Sequence, residues 1–171
     1  MARRGFEPAR RTGTTVPRVI SGLYKTSEAI IKGSLVLTDS NGEYVLFGGG
    51  TDAVVKGVAL EGAGTKKGYG EPFASQTVVA TGREQAVSVS IADREQEFSC
   101  RQEDGSGNIV APLQTHIGEE YGVAKDADGV WFVDRSETTT KIVRITDIVE
   151  SGGGTSLGFI LVKFLEAVIQ G

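Results

Sequence analysis

Side chains able to do chemistry are few and scattered in this chain of 171 residues. Its one histidine, His116, stands beside Ile117 and Gly118 at a turn-like position. General-base catalysis would need a nucleophile in reach and a third group to orient the ring, so a structural role is the expected one. The one cysteine, Cys100, falls in an apolar stretch and reads as a small packed hydrophobe rather than an activated thiolate. A single cysteine makes neither an intrachain disulfide nor a cysteine-based zinc site, which fits an intracellular folding compartment. Lysines lie among glycines in EGAGTKKGYG (61–70), but Gly62, Gly64 and Gly68 match neither the dinucleotide fingerprint nor the P-loop. A loop is expected there. Asp126-Ala127-Asp128-Gly129, with Glu137 downstream, has the look of a calcium loop, yet Val130 and Trp131 stand where such a loop needs an acid and then glycine. A hairpin turn is expected instead. Glu119, Glu120 and Asp134 could serve a hydrolase as carboxylates across a cleft, although solvated charge explains neighbouring acids better. No catalytic residue, cofactor or metal site is expected.

Charge is distributed unevenly. The formal net charge is -4, yet Arg3, Arg4, Arg10, Arg11 and Arg18 all fall within the first 18 residues, against one acid, Glu7. An acidic body argues against a whole-surface nucleic-acid footprint. The arginine segment carries no interleaved aromatic residues for base stacking, so no specific nucleic acid is expected as a partner. It reads as a basic arm that docks onto an acidic protein surface, with a disordered solubilising tail as the alternative.

Residues that could position such a site form many short strands. The chain has 24 glycines and recurrent Val, Thr and Ile, the composition of many turns between many strands. AIIKGSLVLTDSNGEYVLF predicts a hairpin about Asn41-Gly42, a pair able to take positive φ. Further strands are expected at Ala53 to Leu60, Thr77 to Thr81, Ala86 to Ile91, Glu97 to Arg101 and Lys141 to Val149. In Ala86 to Ile91 the valines should face inward and the serines outward. A second hairpin, Val123 to Lys125 with Val130 to Asp134, turns at Asp128-Gly129. The run QEDGSGN between Arg101 and Ile109 reads as a turn-rich loop, and a short helix near Ala111 to Glu120 stays open. Phe159 to Ile169 is apolar on both faces, so it must be covered on both, by the chain's own sheets or by a second subunit. Lys163 and Glu166 interrupt it, and it is too short to span a membrane. No apolar segment follows the N-terminal arginines, so no secretory signal is expected. The sum is an all-β domain, a small β-barrel or β-sandwich over residues 17–171, with an extended basic arm at 1–16 and a glycine-rich linker at 151–156.

The order of AIIKGSLVLTDSNGEYVLF, TDAVVKGVALEGAG and IGEEYGVAKDADGVWFVDRSETTTKIVRITDIV resembles the capsid decoration, or cement, proteins of tailed bacteriophages, over residues 19–149. The resemblance implies a non-enzymatic structural protein made in the host cytoplasm. It would bind the outside of an assembled capsid and bridge neighbouring major capsid subunits as a homo-oligomer, a trimer being favoured. Another β-rich virion part, a head fibre base or a tail protein, is the alternative. On this reading Arg3, Arg4, Arg10, Arg11 and Arg18 contact the capsid, while Phe159, Leu161, Phe164 and Leu165 seal the oligomer interface.

Overall fold

The computed structural model of the protein describes residues 5–13, 16–25, 28–49, 54–63, 86–150 and 158–171. Among them the regular structure is almost wholly β, in two sheets. The larger sheet holds β1 (Glu7–Arg11), β7 (Gln96–Cys100), β12 (Phe159–Phe164), β11 (Val143–Glu150), β9 (Glu120–Lys125), β10 (Trp131–Asp134) and β8 (Gln102–Glu103), in that spatial order. The smaller runs β2 (Val19–Leu23), β6 (Ala86–Ile91), β5 (Gly57–Ala59), β3 (Leu35–Thr38) and β4 (Tyr44–Leu46). Pairing is antiparallel except between β8 and β10.

Both sheets roll. Only Arg101 separates β7, near one margin of the larger sheet, from β8 at the other, and the Val133 N–H donates to the Arg101 carbonyl. The last strand must therefore curl back to the second. The smaller sheet curls until Tyr24, just past β2, forms a bridge with Tyr44 of β4, the Lys25 N–H donating to the Tyr44 carbonyl. Gly22 makes that approach possible, because a Cβ there would lie 2.7 Å from the Tyr44 ring. Neither sheet is a closed barrel, and the pair is sandwich-like.

Alternation along the strands fills two cores. Leu35, Phe47, Val55 and Val58 on the smaller sheet's side pack with Phe98, Trp131, Val143, Ile145, Ile160, Val162 and Phe164 of the larger. The opposite face of the smaller sheet closes on itself around Val36, Tyr44, Ala59, Val87, Val89 and Ile91. The valines of β6 thus face inward as expected, but Ser90 is buried too, because a sheet with a core on each face has no outer side at that position.

Residues 5–13 depart from the expected free arm. They are extended, but β1 pairs with β7, and Phe6 is 0% exposed, stacked 5.8 Å from Phe164. The chain's own acidic body attracts the basic segment, and an aromatic anchor fixes it. The C-terminal stretch likewise turns inward. After β12 a 3-10 turn, Glu166–Val168, leads to residues that pair with Val55, and the Gln170 side-chain amide donates to the Thr38 carbonyl and accepts from the Thr38 N–H. This run joins the two sheets.

One turn design recurs three times. Asp39, Asp104 and Asp126 each open a three-residue loop whose third member, Gly42, Gly107 or Gly129, has positive φ. In each, the aspartate Oδ1 accepts the N–H groups two and four residues on, at 2.8–3.0 Å. These are type I turns with a glycine bulge, so the first hairpin is three residues long and not the two-residue Asn-Gly turn expected. Between Arg101 and Ile109 the expected turn-rich loop holds this turn, with the two-residue strand β8 added before it. The expected strand Thr77 to Thr81 and the linker 151–156 lie outside the described residues.

Arg101 occupies the seam of the rolled sheet at 0% exposure. Its guanidinium pairs with Glu103 and, at 2.7 Å, with Asp126, and lies 5.5 Å from the Phe132 ring centre. Asp126 thereby caps its turn with one oxygen and holds Arg101 with the other. Arg101→Met leaves two carboxylates buried without their cation and should cost about 3–5 kcal/mol. Equilibrium urea unfolding measures it, and a loss under about 1 kcal/mol would contradict the role given to this ion cluster.

Candidate functional site

Of the arginines expected to reach a capsid, Arg3 and Arg4 lie outside the described residues. Arg10 and Arg11 are committed within the chain. Arg10 pairs with buried Glu97 and, at 3.0 Å, with Asp147, while Arg11 pairs with Asp93 at 2.8 Å and Glu95 at 3.1 Å. These contacts raise both guanidinium pKa values further, through hydrogen bonds to the carboxylates. Arg18 alone of the described three is presented to solvent without such a bond. It lines a shallow cleft of about 740 Å³ with Val16, Pro17, Val19, Arg94 and Glu95.

The residues expected to seal an oligomer are largely used inside the chain. Phe164 packs edge-on to Phe98, Leu161 is buried, and Phe159 and Leu165 are half-buried. Strand β12 lies between β11 and β7, and Ile160, Val162 and Phe164 on one of its faces belong to the chain's own core.

The other candidates are equally tied down. Burial pushes the Cys100 thiol far up. His116 is buried; its Nδ1 accepts the Leu113 N–H at 3.1 Å and lies 3.3 Å from Gln102 Nε2, so the ring proton sits on Nε2. Burial first, and then the Arg135 charge, lower its pKa. Glu120 is paired with Arg144 and Lys141, the Asp134 carboxylate accepts from Ser136, and Glu119 is exposed on the surface. The short helix left open near 111–120 is a single 3-10 turn, Gln114–His116. Of EGAGTKKGYG, residues 64–70 lie outside the described residues. Among the described residues no three His, Cys, Asp or Glu groups are arranged to hold a metal ion.

What the sequence reading missed is a pair of exposed apolar patches. The first comprises Val16 and Val19, 83% and 50% exposed, at the cleft beside Arg94 and Glu95. Arg94 pairs with Glu166, so this patch lies at the Phe164 end of β12. The second is formed by Leu113 and Val149, exposed next in sequence to Pro112 and Glu150. A Cβ on Gly158 would lie 2.5 Å from Pro112 and 3.2 Å from the Glu150 carbonyl, which puts this patch at the Phe159 end of β12. Along that strand the ends are about 17 Å apart. Isolated exposed apolar residues are ordinary, and only clusters carry meaning. No periodic signal marks either patch, since both lie outside regular strands or at an edge.

Comparison with known proteins finds no matching family model, and no match among curated proteins or solved structures.

The tethering of β1 predicts an acid response. Burial alone would raise the Asp93 pKa, but Arg11 and the Glu95 and Gln96 N–H groups outweigh it and hold the carboxyl below its usual range. The Ile148 N–H and Arg10 do the same for Asp147. A depressed folded pKa means stability that is full above the unfolded value of about 3.9 and lost as pH falls through the folded one. Urea midpoints should thus drop below about pH 4, and drop less steeply in Arg11→Met, whose Asp93 has lost its cation. Identical acid profiles would remove β1 from the account.

Proposed function

We propose that the protein is a structural, non-catalytic component of a phage particle that binds the assembled capsid and bridges neighbouring major capsid subunits. The observation that carries this reading is the separation of the two apolar patches. A bridging protein needs two contact surfaces facing different neighbours, and Val16 with Val19 and Leu113 with Val149 lie toward opposite ends of β12. The rolled sheets between them suit load bearing, because the C-terminal run ties one to the other. A protein that binds the assembled lattice and not its free subunits stabilises the lattice by mass action. Arg10 and Arg11 already have partners, so the docking role leaves them and stays with Arg18 beside the apolar patches, Arg3 and Arg4 lying outside the described residues.

The test is co-sedimentation with assembled shells lacking decoration, with shell disruption temperature as the second readout. The wild-type chain should pellet with shells and raise that temperature. Val19→Glu and Leu113→Glu, each in exposed positions that leave folding intact, should each weaken binding at least tenfold, about 1.4 kcal/mol. Absence of wild-type binding, or normal binding by both variants, would refute the bridge.

A further inference from the structure

The side-chain ties of the segment that carries exposed Leu113 converge on a single titratable ring. His116 Nδ1 accepts the Leu113 N–H, and Gln102 Nε2 both approaches that nitrogen and donates to the Val110 carbonyl at 3.2 Å. These contacts hold residues 110–113 against β8, while the Gly118 N–H donates to Ile145 beyond the ring. The bond from the Leu113 N–H and the approach of Gln102 need an unprotonated Nδ1, whereas backbone bonds from Val110 to the Gln102 carbonyl and from Gly118 to the Ile145 carbonyl hold the two ends of the segment independently. We propose that protonation of His116 loosens residues 110–118, making the segment an acid-sensitive latch on exposed Leu113.

The physical reason is a clash of donors. A proton on Nδ1 would point at the Leu113 N–H and the Gln102 amide, both of which already present hydrogens. Gln102 Oε1 is buried with no partner among the described residues, so an amide flip could receive the new N–H. That flip would take Nε2 away from the Val110 carbonyl, and both side-chain ties to 110–113 would be lost together. The charged groups around the ring are Arg135, after β10, which opposes protonation, and Glu119, at the segment's own end, which favours it. Burial adds to the opposition, so the folded segment keeps the ring neutral and the opened one releases it to its ordinary value of 6.5. The sign follows: the latch is closed above about pH 6.5 and weakens as pH falls, by up to tenfold in the opening equilibrium per pH unit until the folded ring itself titrates.

The chain has one histidine, so its ring Cε1–H resonance can be followed by NMR without ambiguity. The experiment titrates that signal in the full chain and, between pH 7.5 and 5, measures amide-exchange protection at Val110, Leu113 and Gly118. Core amides such as Ile142 and Val162 serve as reference. The latch predicts a ring that titrates below 6.5 and protection at the three amides falling with pH, by up to tenfold per unit relative to the core. In His116→Asn, whose Oδ1 accepts the same N–H and cannot titrate, protection should not vary with pH. A ring titrating at or above 6.5, pH-independent protection in the wild type, or the same pH dependence in His116→Asn would overturn the proposal. None of these readouts involves a capsid, so the latch and the bridging role fail separately.

Discussion

A guanidinium with no access to water, enclosed by two carboxylates and an aromatic face, is the constraint on which the larger sheet depends. Arg101 lies where one continuous stretch stops pairing with β1 and β12 and begins to pair with β10. The sheet can roll only if the backbone crosses that point in a fixed direction. Glu103 and Asp126 define the direction, because a buried charge tolerates few geometries that keep all its partners. Asp126 also shapes the β9–β10 turn, so the turn and the seam are set by one side chain. A hydrophobic residue at Arg101 could fill the space but would not specify which loop belongs there.

The N-terminal segment shows how charge separation along a chain becomes tertiary structure. Five arginines ahead of an acidic body read as a surface for some other molecule. The body was the nearer partner: Asp93, Glu95, Glu97 and Asp147 take up Arg10 and Arg11, and Phe6 enters the core beside Phe164. Partners within one chain need no association entropy, so they outcompete an external surface of similar charge.

Much of the fold was legible because it rests on local rules. Asn-Gly and Asp-Gly pairs and alternating β-branched residues located β3–β4, β6 and β9–β10, and those elements stand where expected. Long-range pairing was not legible. Nothing near Glu7–Arg11 announces a strand, since its partner is some 90 residues away, and nothing near Gln102 announces the parallel pairing of β8 with β10. The apolar C-terminal run was recognised as needing cover on both faces, but sequence could not choose between an intrachain and an intersubunit cover. The exposed patches escaped for a related reason: exposure is decided by which neighbours fail to arrive, and no spacing rule encodes that.

The central claim is that each copy of the protein joins two neighbouring capsid subunits through opposite ends of β12. Electron cryomicroscopy of decorated shells, at a resolution that shows side chains, tests it most directly. The account predicts density for one capsid subunit against Val16 and Val19 and for a different one against Leu113 and Val149. A copy that touches a single subunit, or that contacts the shell through neither patch, would contradict it.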